Sequence, residues 1–245
     1  MKKLSVLAPL KITNQKRFDI FLRCLSSYIP LIKNTNVDFI VVNESIGKFY
    51  SDVNKKINEI SDDVKFIESK GMVNSVRNLI KYSDSDYIMF LLDDVELIFN
   101  VEEGIFDCIK IMDEEVNIDQ IKFGGGKVYG INNNDLNNFK ITHKPLEINN
   151  NIIWLNNSLK EEKTYVISCW NSLTRTSLLK NLDLEYKSNC ENWDSYAKEI
   201  SRIFVNKNKI DSKTGWLNLK CGLYAWGRTN NSFEKHKENY DKNNW

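Results

Sequence analysis

The sequence predicts an α/β fold, a mainly parallel, doubly wound sheet flanked by helices. Two observations carry that expectation. Through the first hundred residues, short apolar runs alternate with stretches whose apolar residues recur at intervals of three and four. The run YIMFLL at 87–92 is apolar throughout, as suits a strand buried on both faces of a sheet. Strands and helices that alternate in this way wind into a parallel sheet through right-handed crossovers.

Residues 4–8 form the first expected strand, broken by Pro9 and followed by a polar loop through Asn14. Between Gln15 and Ile32, Phe18, Phe21, Leu22, Leu25, Tyr28, Ile29 and Ile32 share one helical face. Residues 37–42 read as a second strand, ending in Asn43-Glu44-Ser45. A helix over 49–60 and a short strand at 64–67 follow. The next helix, over 70–82, has Val73, Val76, Leu79 and Ile80 in phase and leads to the strand at 87–92.

Helical spacing returns at 101–112 with Ile105, Phe106, Ile109 and Met112. A strand at 121–123 then runs into Gly124-Gly125-Gly126-Lys127. That run lacks the GxxxxGK[ST] pattern of a phosphate loop. It reads as a strand bending where a ligand or another backbone comes close. Val128-Tyr129 resumes a strand, and residues 131–157 read as hairpins and loops. Residues 166–182 read as a strand, a turn and a short helix opened by Thr174 or Thr176. A last helix carries Ala197, Ile200, Ile203 and Phe204 in phase, strands at 216–226 flank Gly222, and the tail is polar.

Composition sets limits on function. A length of 245 residues allows one large α/β domain or two small ones. A net charge of +1 supplies no global field for a nucleic acid or a membrane surface, so neither is expected as a partner. Lys2 and Lys3 precede an apolar stretch, but Ser5 and Pro9 interrupt it before Lys11. It is too short for a signal peptide and far too short for a transmembrane segment. Cys24, Cys108, Cys169, Cys190 and Cys221 are odd in number and form no CxxC. This reads as reduced thiols in a cytoplasmic protein without a zinc site.

The chemistry concentrates at Asp93 and Asp94, which end the apolar run, with Glu96 two positions on. Open α/β sheets hold their ligands at the C-terminal ends of the strands. Neighbouring strand residues face opposite ways, whereas a turn after Leu92 would let Asp94 and Glu96 share a face. Such hard oxygen donors suit Mg²⁺ or Mn²⁺. The alternative is that the aspartates cap a following helix whose first turn holds Glu102 and Glu103.

An apolar strand ending in Leu92-Asp93-Asp94-Val95-Glu96, preceded in order by Gly71, Arg77 and Asn78, resembles the nucleotide-sugar glycosyltransferases of the GT-A fold, family 2 in type. The resemblance implies one domain over 1–245, with a nucleotide-sugar half at 1–100 and an acceptor half at 101–245. It implies nucleotide contacts from Pro9, Thr13, Asn43, Glu44, Gly71, Arg77 and Asp93. The implied ion is Mn²⁺ or Mg²⁺, held by Asp94 and Asp93, with Glu96 and a late His236 as further ligands. The motif departs from strict Asp-x-Asp, and Asp94 is the preferred ligand.

In the same family an acidic pair opening a late helix supplies the catalytic base. Glu191 and Asp194, three apart before the last helix, occupy that place, with Asp194 preferred. First-turn acids also serve as caps and dipole partners, and that reading stays open here. All six tryptophans lie from Trp154 onward, and Trp170 and Trp193 are candidates for stacking on a sugar. The expected partners are a nucleotide diphospho-sugar and a glycan or other hydroxyl acceptor. Two rivals remain: a nucleotidyltransferase, disfavoured by the lack of glycine between Pro9 and Asn14, and a non-catalytic sugar- or nucleotide-binding domain.

Overall fold

A computed structural model describes residues 2–99, 101–116, 118–123, 147–149, 152–156, 172–188, 192–207, 213–217 and 221–225. The chain starts with β1 (Leu4–Leu10), every residue of which is buried. On one side β1 pairs in parallel with β2 (Val37–Asn43), Leu4 opposite Val37 and Leu10 opposite Asn43. On the other it pairs in parallel with β4 (Tyr87–Phe90), Leu4 opposite Tyr87 and Leu7 opposite Phe90. The short β3 (Lys65–Phe66) adds in parallel beyond β2. The order β3-β2-β1-β4 is the doubly wound arrangement that the alternating pattern predicts.

Pro9 does not break the strand. It lies inside β1 opposite Val42. Bonds to β2 leave from alternate residues, since Glu44 N–H reaches Leu10 C=O, while Leu7 C=O takes Leu91 N–H from the β4 side. The missing Pro9 donor therefore faces the side on which β4 has already stopped, opposite Leu7. A proline is tolerated in a sheet only where no neighbour needs its donor.

Three helices complete this half. α1 (Gln15–Ile32) is capped by Asn14, whose side chain accepts Arg17 N–H at 3.0 Å. α2 (Lys48–Asn58) follows β2, and α3 (Met72–Tyr82) follows β3. Right-handed crossovers place α1 and α2 on one face of the sheet and return α3 across the other, where it packs on β1 and β2.

After β4 the chain turns, forms β5 (Val95–Phe99), and enters α4 (Val101–Glu114), which packs against α1. β5 leaves the main sheet and pairs antiparallel with β11 (Cys221–Ala225). The main sheet continues beyond β4 with β9 (Ser172–Arg175) antiparallel, then β6 (Ile118–Phe123) and β10 (Lys213–Leu217), then β8 (Ile152–Asn156) and β7 (Glu147–Asn149). The described residues thus give nine strands in one mixed, largely parallel sheet and two in a second. α5 (Thr176–Glu185) starts at Thr176, one of the two openings the sequence offered, and α6 (Trp193–Lys207) packs on α5 and α3.

Leu7 sits at the middle of β1 with no exposed surface, between α3 and the opposite helical layer. Truncating it leaves a void that close-packed neighbours fill poorly. Leu7→Ala should cost about 2–5 kcal/mol in a denaturant titration, with the slope of the transition unchanged.

Candidate functional site

The sheet order creates a crevice. From β1 the chain winds toward β2 in one direction, and it returns to β4 on the other side. At such a reversal the loops after adjacent strands diverge, and ligands enter between them. Here that place lies between the loop after β1 and the turn after β4. The loop after β1 is tied to the loop after β2, because Ile12 N–H donates to Ser45 Oγ at 2.9 Å and Ile46 N–H to Ile12 C=O at 3.1 Å.

The acidic turn is a turn between two strands. Asp93 and Asp94 form it, Val95 N–H reaching back to Leu92 C=O at 3.4 Å, and β5 follows at once. A five-residue strand therefore separates the aspartates from α4, and they do not cap that helix. Asp93 is only 4% exposed and accepts a charged hydrogen bond from Arg17 Nη2 of α1. Glu96 accepts from Arg23 Nε of the same helix at 2.7 Å. Asp94 lies between them, half-buried. Below the turn, Ser27 Oγ accepts Leu97 N–H at 2.9 Å, and Tyr28 Oη donates to Phe90 C=O at 3.3 Å. One helix thus fixes the strand before the turn, the turn itself and the strand after it.

Cys24 projects from α1 beneath this turn. Burial pushes its thiol pKa well above the ordinary value, and the charges of Asp94, Glu96 and Asp93 push it further in the same direction.

Three of the four expected metal ligands, Asp93, Asp94 and Glu96, stand on this turn and at the start of β5. Asp93 and Glu96 are held by arginines, and no three His, Cys, Asp or Glu side chains among the described residues are grouped to hold a metal ion. A cation at this turn would have to be held by Asp94 together with oxygens from a ligand and water. Mg²⁺ and its congeners often bind with only one or two carboxylates beside a phosphate.

The expected nucleotide contacts serve the scaffold as well. Glu44 Oε2 accepts Gly71 N–H at 2.7 Å, and its Oε1 accepts Ser75 Oγ at 2.5 Å, so the carboxylate sits on the N-terminus of α3. Gly71 has φ +88°, a conformation that penalises any side chain. Asn43 is spent on Tyr50 C=O, Asn54 and Ser45 N–H. Pro9 is buried in β1, whereas Thr13 is partly exposed in the crevice loop.

Arg77 donates from Nε to Asp183 of α5 at 2.8 Å and lies 5.2 Å from the Tyr186 ring. Tyr196 Oη of α6 donates to the same Asp183 oxygen at 2.9 Å, so Arg77 joins α3 to both late helices. Beside it opens a cavity of about 750 Å³. Lys70, Arg77, Lys81 and Lys180 line it against a single acid, Asp183, which suits an anionic ligand.

On the acceptor side, Asn192 caps α6, its Oδ1 accepting Ser195 N–H at 2.9 Å. Asp194 is therefore not the cap; its backbone lies in the first turn, next to the helix segment that reaches Asp183. Glu191, His236, Trp170 and the run Gly124-Gly125-Gly126-Lys127 lie outside the described residues.

The sequence reading missed Arg17, Arg23 and Ser27. They fall beside the apolar face of α1 and read as a solvated flank. Only the fold brings that flank against β4 and β5.

No protein-family model matches the chain, and no curated protein matches it in sequence. Solved structures do match its fold. The first residues, 1–349, of TarS from S. aureus match with a TM-score of 0.61 at 18% identity, over 91% of this chain and 60% of that one. The same segment in complex with UDP-GlcNAc matches with a TM-score of 0.61 at 17% identity, over 95% of this chain and 60% of that one. Its UDP complex matches with a TM-score of 0.60 at 16% identity, over 96% and 63%. This chain thus spans less than two thirds of the structures it resembles, and at such identity the likeness shows a shared fold.

Two measurements check the site geometry. Cys24 should resist a thiol reagent at pH 9, site-mapped by mass spectrometry, and react once denaturant is added. Because the fold favours the neutral thiol, any stability it contributes is lost as pH rises above the ordinary thiol value. Glu44→Ala, which strips the α3 N-terminus of its carboxylate, should cost about 1–3 kcal/mol by chemical denaturation.

Proposed function

We propose that the chain is a glycosyltransferase that moves a sugar from a nucleotide diphospho-sugar to an acceptor hydroxyl, with inversion and with Mn²⁺ or Mg²⁺ at Asp94. One observation carries the reading. The acidic turn lies where a parallel sheet reverses its winding, in a fold shared with the glycosyltransferase TarS, which has been solved with UDP and UDP-GlcNAc. The cavity beside α3, lined by four cationic side chains, shares no lining residue with the acidic turn and is a separate place for an anion. No helix among the described residues is long and apolar enough to cross a membrane. The buried thiol of Cys24, which forms no disulfide, suits a reducing, cytoplasmic setting.

In the proposed reaction, the acceptor oxygen attacks the anomeric carbon as the bond to the diphosphate breaks. The electron pair leaves with the diphosphate, and the acceptor proton passes to Asp194. When bound, the cation would neutralise charge developing on the leaving diphosphate. The chain's own contribution is to orient the donor between the β1 loop and the acidic turn. Asp93 and Glu96 serve to hold the turn.

A second reading has a specific basis. Arginines already neutralise both acids that flank Asp94, which also suits a domain that binds a nucleotide sugar without turning it over.

Differential scanning fluorimetry with UDP, GDP and dTDP, each with and without Mn²⁺, tests the donor side. At least one pair should raise Tm, by an amount equivalent to about 2.7 kcal/mol at a hundredfold excess over Kd. Asp94→Asn should lose the Mn²⁺-dependent part of the shift and keep its fold. Slow Mn²⁺-dependent hydrolysis of a UDP-sugar, absent in Asp94→Asn, separates the enzyme from the binder. No stabilisation by any nucleotide would overturn both readings.

A further inference from the structure

We infer that the groove between α3 and α5 is a second ligand site, which takes a small, multiply charged phosphate compound toward the edge of the sheet opposite the crevice. The inference stands apart from the transferase reading. The walls of the cavity, of about 750 Å³, carry Lys70, Arg77, Lys81 and Lys180 against one carboxylate, Asp183. Those side chains bring a net charge of +3 to one concave surface, in a chain whose whole net charge is +1. Concentrated charge of one sign in a cleft gathers counter-ions. The volume is that of a small-molecule site.

The one acid is already engaged. Asp183 Oδ1 accepts Arg77 Nε at 2.8 Å and Tyr196 Oη at 2.9 Å. With Nε so held and the Tyr186 ring 5.2 Å away, the guanidinium is fixed in place. Its two Nη atoms bond to no described residue and can donate as a fork to phosphate oxygens. Lys180 meets Asp84 at 3.8 Å, but that carboxylate is 86% exposed and such a pair contributes little. Lys70 and Lys81 have no acidic partner among the described residues. Arg77 and Lys81 stand one turn apart on α3, a like-charge pair that weakens a helix unless an anion lies beside it.

The path of the chain sets this groove apart from the crevice. α3 ends at Tyr82 and β4 begins at Tyr87, so Lys81 lies near the edge where the parallel strands start. α5 opens at the same edge, since Thr176 N–H donates to Asp86 C=O at 2.9 Å, and Lys180 stands one turn further on. The acidic turn follows the other end of β4.

Calorimetric titration of the full chain with inorganic tripolyphosphate, in metal-free buffer of low ionic strength, tests the site. The parent should bind it. Lys81→Gln combined with Lys180→Gln should weaken binding at least about tenfold, since two charge-assisted hydrogen bonds are lost. Arg77 stays in place, because it joins three helices. Lys33→Gln combined with Lys55→Gln removes the same charge from exposed positions elsewhere and should leave the affinity unchanged. Stabilisation by a nucleoside diphosphate with Mn²⁺ should be equal in the parent and in Lys81→Gln/Lys180→Gln. No tripolyphosphate binding by the parent, or the same affinity in both paired variants, would overturn the site. Binding to phosphatidylglycerol vesicles without binding to tripolyphosphate would overturn it in favour of a lipid headgroup. Loss of the nucleotide effect in Lys81→Gln/Lys180→Gln would overturn it by making the groove part of the donor site. Tripolyphosphate binding with no nucleotide effect in any form would support the groove and overturn the transferase reading alone.

Discussion

The rest of the site depends on the attachment of one helix to one turn. α1 meets the chain at Phe90, Asp93, Glu96 and Leu97 through Tyr28, Arg17, Arg23 and Ser27. Two of these contacts are charged and two bond the backbone. Together they convert a flexible connection between two strands of different sheets into a fixed support for Asp94. Breaking a poorly solvated ion pair from one side leaves the other charge stranded, so the pair resists partial loss more strongly than its net contribution suggests. That asymmetry suits a feature whose purpose is to hold a shape.

The sheet provides the other half of the geometry. β1 is buried along its whole length because it lies between β2 and β4 and beneath helices on both faces. Its C-terminal end therefore opens into a crevice walled on either side. The opposite end is closed by hydroxyls: Ser83 Oγ donates to Ser5 Oγ at 2.8 Å, and Ser85 Oγ donates to Tyr87 C=O at 3.1 Å. The single polar residue inward in β1 is satisfied there, and its burial leaves no orphan donor.

Much of this was legible in the sequence. The period of the apolar residues places α1, α3 and β4 almost to the residue, because each buries one face or two against a continuous core. Pro9 misled, since its effect depends on which neighbour its missing donor faces, and a sequence does not show where β4 stops. The position of Asp94 was legible from the apolar run that precedes it. The engagement of Asp93, Glu96 and Glu44 was not, because their partners Arg17, Arg23 and Gly71 lie 76, 73 and 27 residues away. Contacts that distant follow from topology, and local pattern carries no trace of them. β5 was read past for a related reason: Val95–Phe99 pairs with Cys221–Ala225, and nothing near it announces a partner so remote.

The far edge of the main sheet has its own consequence. β3 contributes only two residues, and its Lys65 reaches across to Asp38 of β2 at 3.1 Å. A border so brief and so charged gives an incoming chain little backbone to pair with. On that flank the protein discourages strand-by-strand stacking into fibrils, and it does so with the least regular element of its parallel half.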